Sequence, residues 1–223
     1  MNKIYLLYIL FMLLCTKAEA QISLVPRVGL TFSTVAFENN IWEDRKIVTG
    51  FTAGVGVNYS LTGDNFLSIQ PEIIYTQKGF AAKGSFLTVD YDGTYRLNYL
   101  ELPLLLKLSF GNETIHAYVN AGPSVGYLLN GRVRGSSNLL GTTASIDEPI
   151  EFTETPNTLD ITELDANRIE VSANAGIGIG YLISEKATLF LDIRYSLGVT
   201  DFDQTQASKN RVIALSAGLQ IPF

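Results

Sequence analysis

Past its first twenty residues this chain has no cysteine, because its single one, Cys15, lies in the N-terminal segment. Residues 21–223 therefore carry no disulfide framework, no thiolate nucleophile and no cysteine-held metal. Histidine is nearly as scarce, with His116 alone, which leaves little from which to build an imidazole metal site or a catalytic triad. Basic clusters are missing too. Sixteen Lys and Arg stand against twenty-two Asp and Glu, and setting aside Lys3, Lys17 and Glu19 with the N-terminal segment leaves 14 against 21, a formal charge of −7. An acidic chain of this kind is a poor partner for nucleic acid. Beyond the N-terminus there is no run of the ~18 to 20 apolar residues that a membrane helix needs, and no helical periodicity of any length. A chain so composed can span a bilayer only as a closed barrel, the other arrangement that satisfies every backbone group in lipid.

The N-terminus reads as an address. Lys3 precedes the apolar run Ile4 to Leu14, and Ala18-Glu19-Ala20 forms a small-residue cleavage site before Gln21. The expectation is a signal peptide over residues 1–20, cleaved after Ala20, and one barrel domain over 21–223. Leu14 before Cys15 is too large for a lipoprotein signal.

What the remainder has in abundance is alternation. Phe51, Ala53, Val55, Val57, Tyr59 and Leu61 alternate with Thr52, Gly54, Gly56, Asn58 and Ser60; the same split recurs over 169–183 and over 213–223. It predicts eight strands near residues 23–35, 50–61, 65–78, 95–110, 114–130, 168–183, 187–200 and 210–223. Tight turns at Thr62-Gly63-Asp64, Gly111-Asn112-Glu113 and Ser184-Glu185-Lys186 alternate with long polar segments near 36–49, 79–94, 131–167 and 201–209. The predicted fold is all-β: a single antiparallel up-and-down transmembrane barrel of about eight strands, with short periplasmic turns and long extracellular loops. The 131–167 segment is long enough to hide a further hairpin. It also holds Asp147, Glu148, Glu151, Glu154, Asp160, Glu163 and Asp165, in a spacing that matches no defined metal loop and reads as a solvated acidic surface.

The polar stripe is rich in glycine, which suits the crowded inside of a narrow cylinder, whereas Leu100, Leu102, Leu104, Leu106, Leu108 and Phe110 suit lipid. This parity sends Arg27, Glu72, Glu101, Lys107, Glu170, Asp192 and Arg194 inside as a lumenal charge network. Mixed signs at that density predict a salt-bridged plug, where a selective pore would show rings of one sign. Phe190 is expected opposite Gly180, its ring covering the glycine gap. Phe51, Tyr75, Phe110, Tyr127, Tyr181 and Tyr195 fit interfacial girdles. The terminal Phe223 faces outward and is expected to be read by the barrel-insertion machinery. Pro71, Pro103 and Pro123 fall within strands and predict bulges or interface positions.

Several segments, Gln70-Pro71-Glu72-Ile73-Ile74-Tyr75-Thr76-Gln77-Lys78-Gly79, Asn98-Tyr99-Leu100-Glu101-Leu102-Pro103-Leu104-Leu105-Leu106-Lys107, Ala121-Gly122-Pro123-Ser124-Val125-Gly126-Tyr127, Arg194-Tyr195-Ser196-Leu197-Gly198 and the terminal Asn210-Arg211-Val212 strand, together resemble the PorT-like outer-membrane β-barrel family. That resemblance implies a barrel tied to protein secretion or to another envelope complex, and carries over no binding or catalytic residue. The expected function is accordingly structural or accessory, with outer-membrane lipid, the insertion machinery and envelope proteins as partners and no cofactor, metal or catalytic site. The alternatives are a narrow channel or small-molecule carrier, and a lipid-modifying barrel enzyme using His116, near which Lys107 is expected to lie.

Overall fold

The computed structural model describes residues 22–37, 44–62, 64–86, 89–139, 142–153, 163–164, 166–201 and 208–223. The signal-peptide assignment to residues 1–20 lies outside them. Every regular element described is a strand: β1 (Ile22–Phe37), β2 (Asp44–Lys46), β3 (Val48–Ser60), β4 (Leu67–Phe86), β5 (Val89–Gly111), β6 (Ile115–Leu139), β7 (Thr142–Pro149), β8 (Glu151–Phe152), β9 (Glu163–Leu164), β10 (Ile169–Ser184), β11 (Ala187–Gly198) and β12 (Ser208–Pro222). Eight of them, β1, β3, β4, β5, β6, β10, β11 and β12, form one antiparallel sheet in chain order. It closes where β6 pairs with β10 and where the first strand pairs with the last, from Ser23 opposite Pro222 to Phe37 opposite Ser208.

The wall is turned inside out relative to a water-soluble protein. Val28, Leu30, Ile73, Leu102, Leu104, Ile177, Ile179, Leu191 and Ile193 are exposed, while Arg27, Glu72, Lys78, Glu170, Asp192 and Arg194 are buried. Alternation places one set in hydrocarbon and the other in the interior. The aromatics sort into two levels. Phe51, Tyr75, Tyr127 and Tyr195 lie toward the long-loop end, with Phe51 and Tyr75 rings 5.2 Å apart. Tyr59, Phe66, Phe110 and Tyr181 lie by the short turns, with Phe66 and Phe110 edge to face at 5.5 Å. Short connections earn their shape locally: Asn112 Oδ1 accepts from the backbone N–H of Thr114 and Ile115, and Gly111, at φ 132°, takes a conformation that side chains disfavour.

Three sequence expectations are corrected here. First, 79–94 is not a loop: β4 runs to Phe86 and β5 starts at Val89, so the two strands pair far beyond the apolar belt. At ~3.3 Å per residue the 23 residues of β5 run ~75 Å along the strand, against an apolar band ~25 Å tall. Second, 131–167 does hold a further strand, β7, but it pairs with the upper part of β6 as a projecting hairpin and does not widen the barrel. Third, the prolines produce no bulges. The ladder drops pairs at Pro71, Pro103 and Pro123 yet resumes in the same register each time. Proline's φ near −65° remains compatible with extended backbone, so a missing donor interrupts pairing without inserting a residue. The register shifts fall instead at Asn98/Tyr99 and at Leu182/Ser184.

Candidate functional site

All seven residues assigned to the lumen from parity are buried in the interior. They divide into two clusters and one outlier. In the first cluster Arg27 from β1 reaches Glu72 on β4 at 3.1 Å and Asp192 on β11 at 2.6 Å, and Arg194 grips Glu72 through both terminal guanidinium nitrogens at 2.6 and 3.2 Å. Gln70 adds a 2.6 Å hydrogen bond to Glu72, and Asn120 donates to Asp192 at 3.1 Å. The side chains of Glu72 and Asp192 are 0% and 1% exposed. Buried carboxylates tolerate this only with such saturation by charge and hydrogen bonds.

The second cluster lies nearer the long-loop end and is centred on Lys78, a residue the sequence reasoning did not place in the network. Lys78 Nζ stands 2.6 Å from Glu101 and 2.7 Å from Glu170. Ser172 and Asn210 donate to Glu170, and Thr76 donates to Glu101. Lys78 shares the parity of Glu72 and Thr76. The expected strand over 65–78 already contained it, and carrying the inward parity to that last position would have found it. With Lys78 included, the described residues place four cations and four anions in the interior.

Two apolar layers complete the filling. Val25, Tyr118 and Phe190 pack beneath the first cluster. Above the second, Val35, Phe80, Leu97, Tyr99, Leu128 and Val133 pack against Ile150 and Ala166, which fold in from the segment after β7. Ile150 is anchored by its N–H to the carbonyl of Gly131 at 2.9 Å. The interior thus holds apolar layers at two levels, of which only the Phe190 side chain was expected from the alternation. A small cavity of about 30 Å³ touches both clusters.

Other sequence expectations place differently. Phe190 does pair opposite Gly180, but its ring lies over Gly218 on the other neighbouring strand, and the His116 ring covers Gly180. Lys107 is opposite Asn120, and Gly111 is opposite His116, so the lysine does not face the histidine directly. No described hydrogen bond joins His116 to a carboxylate or hydroxyl. Of the acidic segment, Asp147 is held on an exposed surface by Arg132 at 2.7 Å and Arg134 at 3.0 Å, and the hydrogen bond from Arg134 keeps its carboxyl below the usual range. Glu154, Asp160 and Asp165 lie outside the described residues, and among those described no group of His, Cys, Asp and Glu could hold a metal. Phe223 is exposed at the short-turn end, its N–H bonded to the carbonyl of Ile22.

Solved structures share this architecture at low sequence identity. The outer membrane protein OprG from Pseudomonas aeruginosa is 11% identical with a TM-score of 0.50, over 92% of this chain and 96% of that one. Neisserial surface protein A is 13% identical with a TM-score of 0.46, over 90% of this chain and 97% of its own. The likeness to OprG speaks to fold alone. No curated protein matches the chain. The model of the outer membrane protein beta-barrel domain family matches residues 17–204, and with its closed eight-stranded wall the chain belongs to that family.

Proposed function

We propose that this protein is a non-conducting, non-catalytic accessory barrel of the outer membrane, serving an envelope or protein-secretion complex through its projecting sheet. The observation that supports this best is the occluded interior. Two ion-paired clusters and two apolar layers occupy the cylinder, and an eight-stranded wall leaves room for side chains and little else. A channel would need that stack to separate. A lipid-modifying enzyme would need an orienting carboxylate and a nucleophile at His116, and the described contacts supply neither.

Function then resides on the surface. Above the apolar belt, β2, β4, β5, β6 and β7 continue as a sheet outside the closed wall. The PorT-like motifs quoted above give the more specific reading that its partner is a secretion or envelope protein. Cleavage after Ala20 and recognition of Phe223 during insertion belong to the same proposal. Reconstitution in planar bilayers together with cross-linking of neighbours in native membranes tests it. Negligible steady conductance and a defined protein neighbour captured through the 132–149 hairpin are expected. A large, stable conductance that survives removal of the 131–167 segment would refute it.

A further inference from the structure

At the short-turn end the barrel opens into a polar vestibule of about 570 Å³. Its deepest charge is Lys107, 6% exposed. The other three interior cations each have a carboxylate within 3.1 Å; Lys107 has none within ion-pair distance among the described residues. Its ammonium rests on the Tyr118 ring, 4.1 Å from the centroid, and donates to Gln220 at 3.2 Å. An ammonium carries three donors, so donor capacity remains toward the cavity. Around it stand Ser23 and Ser68, both buried, and Asn58, whose side-chain oxygen is buried without a hydrogen-bond partner. A buried cation with donor capacity to spare at the floor of an open hollow is what an absent anionic group would satisfy.

The mouth carries the opposite sign. Each short turn places one exposed carboxylate at the rim: Asp64, Glu113 and Glu185. A simple anion meets repulsion on the way in, and a simple cation meets Lys107 at the floor. A molecule with an anionic oxygen group at one end and an ammonium at the other matches both levels.

We propose that this vestibule binds a small zwitterion from the periplasm, its carboxylate or phosphate on Lys107 and its ammonium toward the rim carboxylates. Free amino acids and short peptides present this chemistry, as does a phosphoethanolamine headgroup. The test uses the whole barrel, refolded in a maltoside detergent so that no zwitterionic headgroup competes. Titration calorimetry and side-chain amine NMR are run with dialanine, dialanine amide, N-acetyl-dialanine and phosphoethanolamine. Saturable binding of dialanine or phosphoethanolamine is expected, and which of the two binds tighter identifies the source. Loss of the carboxylate in dialanine amide should weaken binding by about tenfold or more. Lys107→Met, checked for its heat-shifted folded band, should abolish binding, and the rim variant Glu113→Gln should weaken dialanine while leaving N-acetyl-dialanine unchanged. Absence of saturable binding by both zwitterions to folded wild type overturns the proposal. So does equal affinity for dialanine and its amide, an outcome that stands even if Lys107→Met does not fold.

Discussion

Glu72 is the keystone of the lower ion cluster, and its replacement by glutamine is the sharpest perturbation the structure offers. The carboxylate is fully enclosed and accepts from Arg27, Arg194 and Gln70, with the Arg194 guanidinium engaging both of its oxygens. Glutamine nearly preserves the volume but removes one negative charge from between two guanidinium groups. Arg27 and Arg194 are then left to share Asp192, which stands 2.6 Å from the first and 3.8 Å from the second. Removing one partner from a buried ion pair costs about 3 to 5 kcal/mol, mostly because the surviving charge is stranded. Glu72→Gln is therefore expected to lower the free energy of urea unfolding in lipid vesicles by that amount. Arg194→Met, which strands part of Glu72, should cost a similar amount alone. Combined, the two changes leave Arg27 neutralised by Asp192, so the double variant should be more stable than the sum of the singles by about 2 kcal/mol or more. Additive losses, or a Glu72→Gln penalty under about 1 kcal/mol, would refute the view that the cluster is held by mutual charge compensation.

Lipid exposure predicts that Ile177→Arg, at the middle of the belt, costs about 2 to 4 kcal/mol of membrane folding, whereas Val57→Arg, two residues from the Tyr59 level, costs less; equal and negligible effects would count against the belt. Orientation is read by cysteine labelling in a Cys15→Ser background: Glu148→Cys should label on intact cells and Glu113→Cys should not. Phe190→Ala combined with Arg194→Ala opens both the apolar layer and the ion cluster above it and should admit measurable leak in planar bilayers. For the β6–β7 hairpin, the Asp147 carboxyl is held below its ordinary value of 3.8, so its contribution is present above that value and lost as pH falls through the lowered one; amide protection in β7 should stay constant from neutrality to that point and fall only below it, with protection lost near neutral His pKa values contradicting the pairing.

Parity along the strands was legible because lipid and lumen differ so sharply that a two-residue period carries nearly all the information. It placed Arg27 and Asp192 in one interior although 165 residues separate them. Parity says nothing of height, so it could not tell that Lys107 stands apart from the clusters while Lys78 completes one. Strand ends failed for a related reason. Above the belt the outer face of the sheet meets water, alternation fades into mixed polarity, and Lys83, Asp90 and Asp92 read as loop although their backbones are paired. The apolar cap was invisible because Ile150 and Ala166 lie in a segment dominated by acidic residues, and only the three-dimensional return of that segment gives them Leu97 and Val133 as neighbours.

The seam between the first and last strands sets a clock on assembly. Ser23 and Gln220 bond across 197 residues of chain, and the whole β1 ladder against β12 depends on contacts of that span. Such contacts close the largest loop in the molecule and are entropically the last to reward the chain. Until β12 arrives, the growing sheet has two unpaired edges and an uncovered apolar face, a template for joining other chains. The molecule thus spends its most hazardous interval nearly complete, and its final fifteen-residue strand converts an aggregation-prone sheet into a wall without edges.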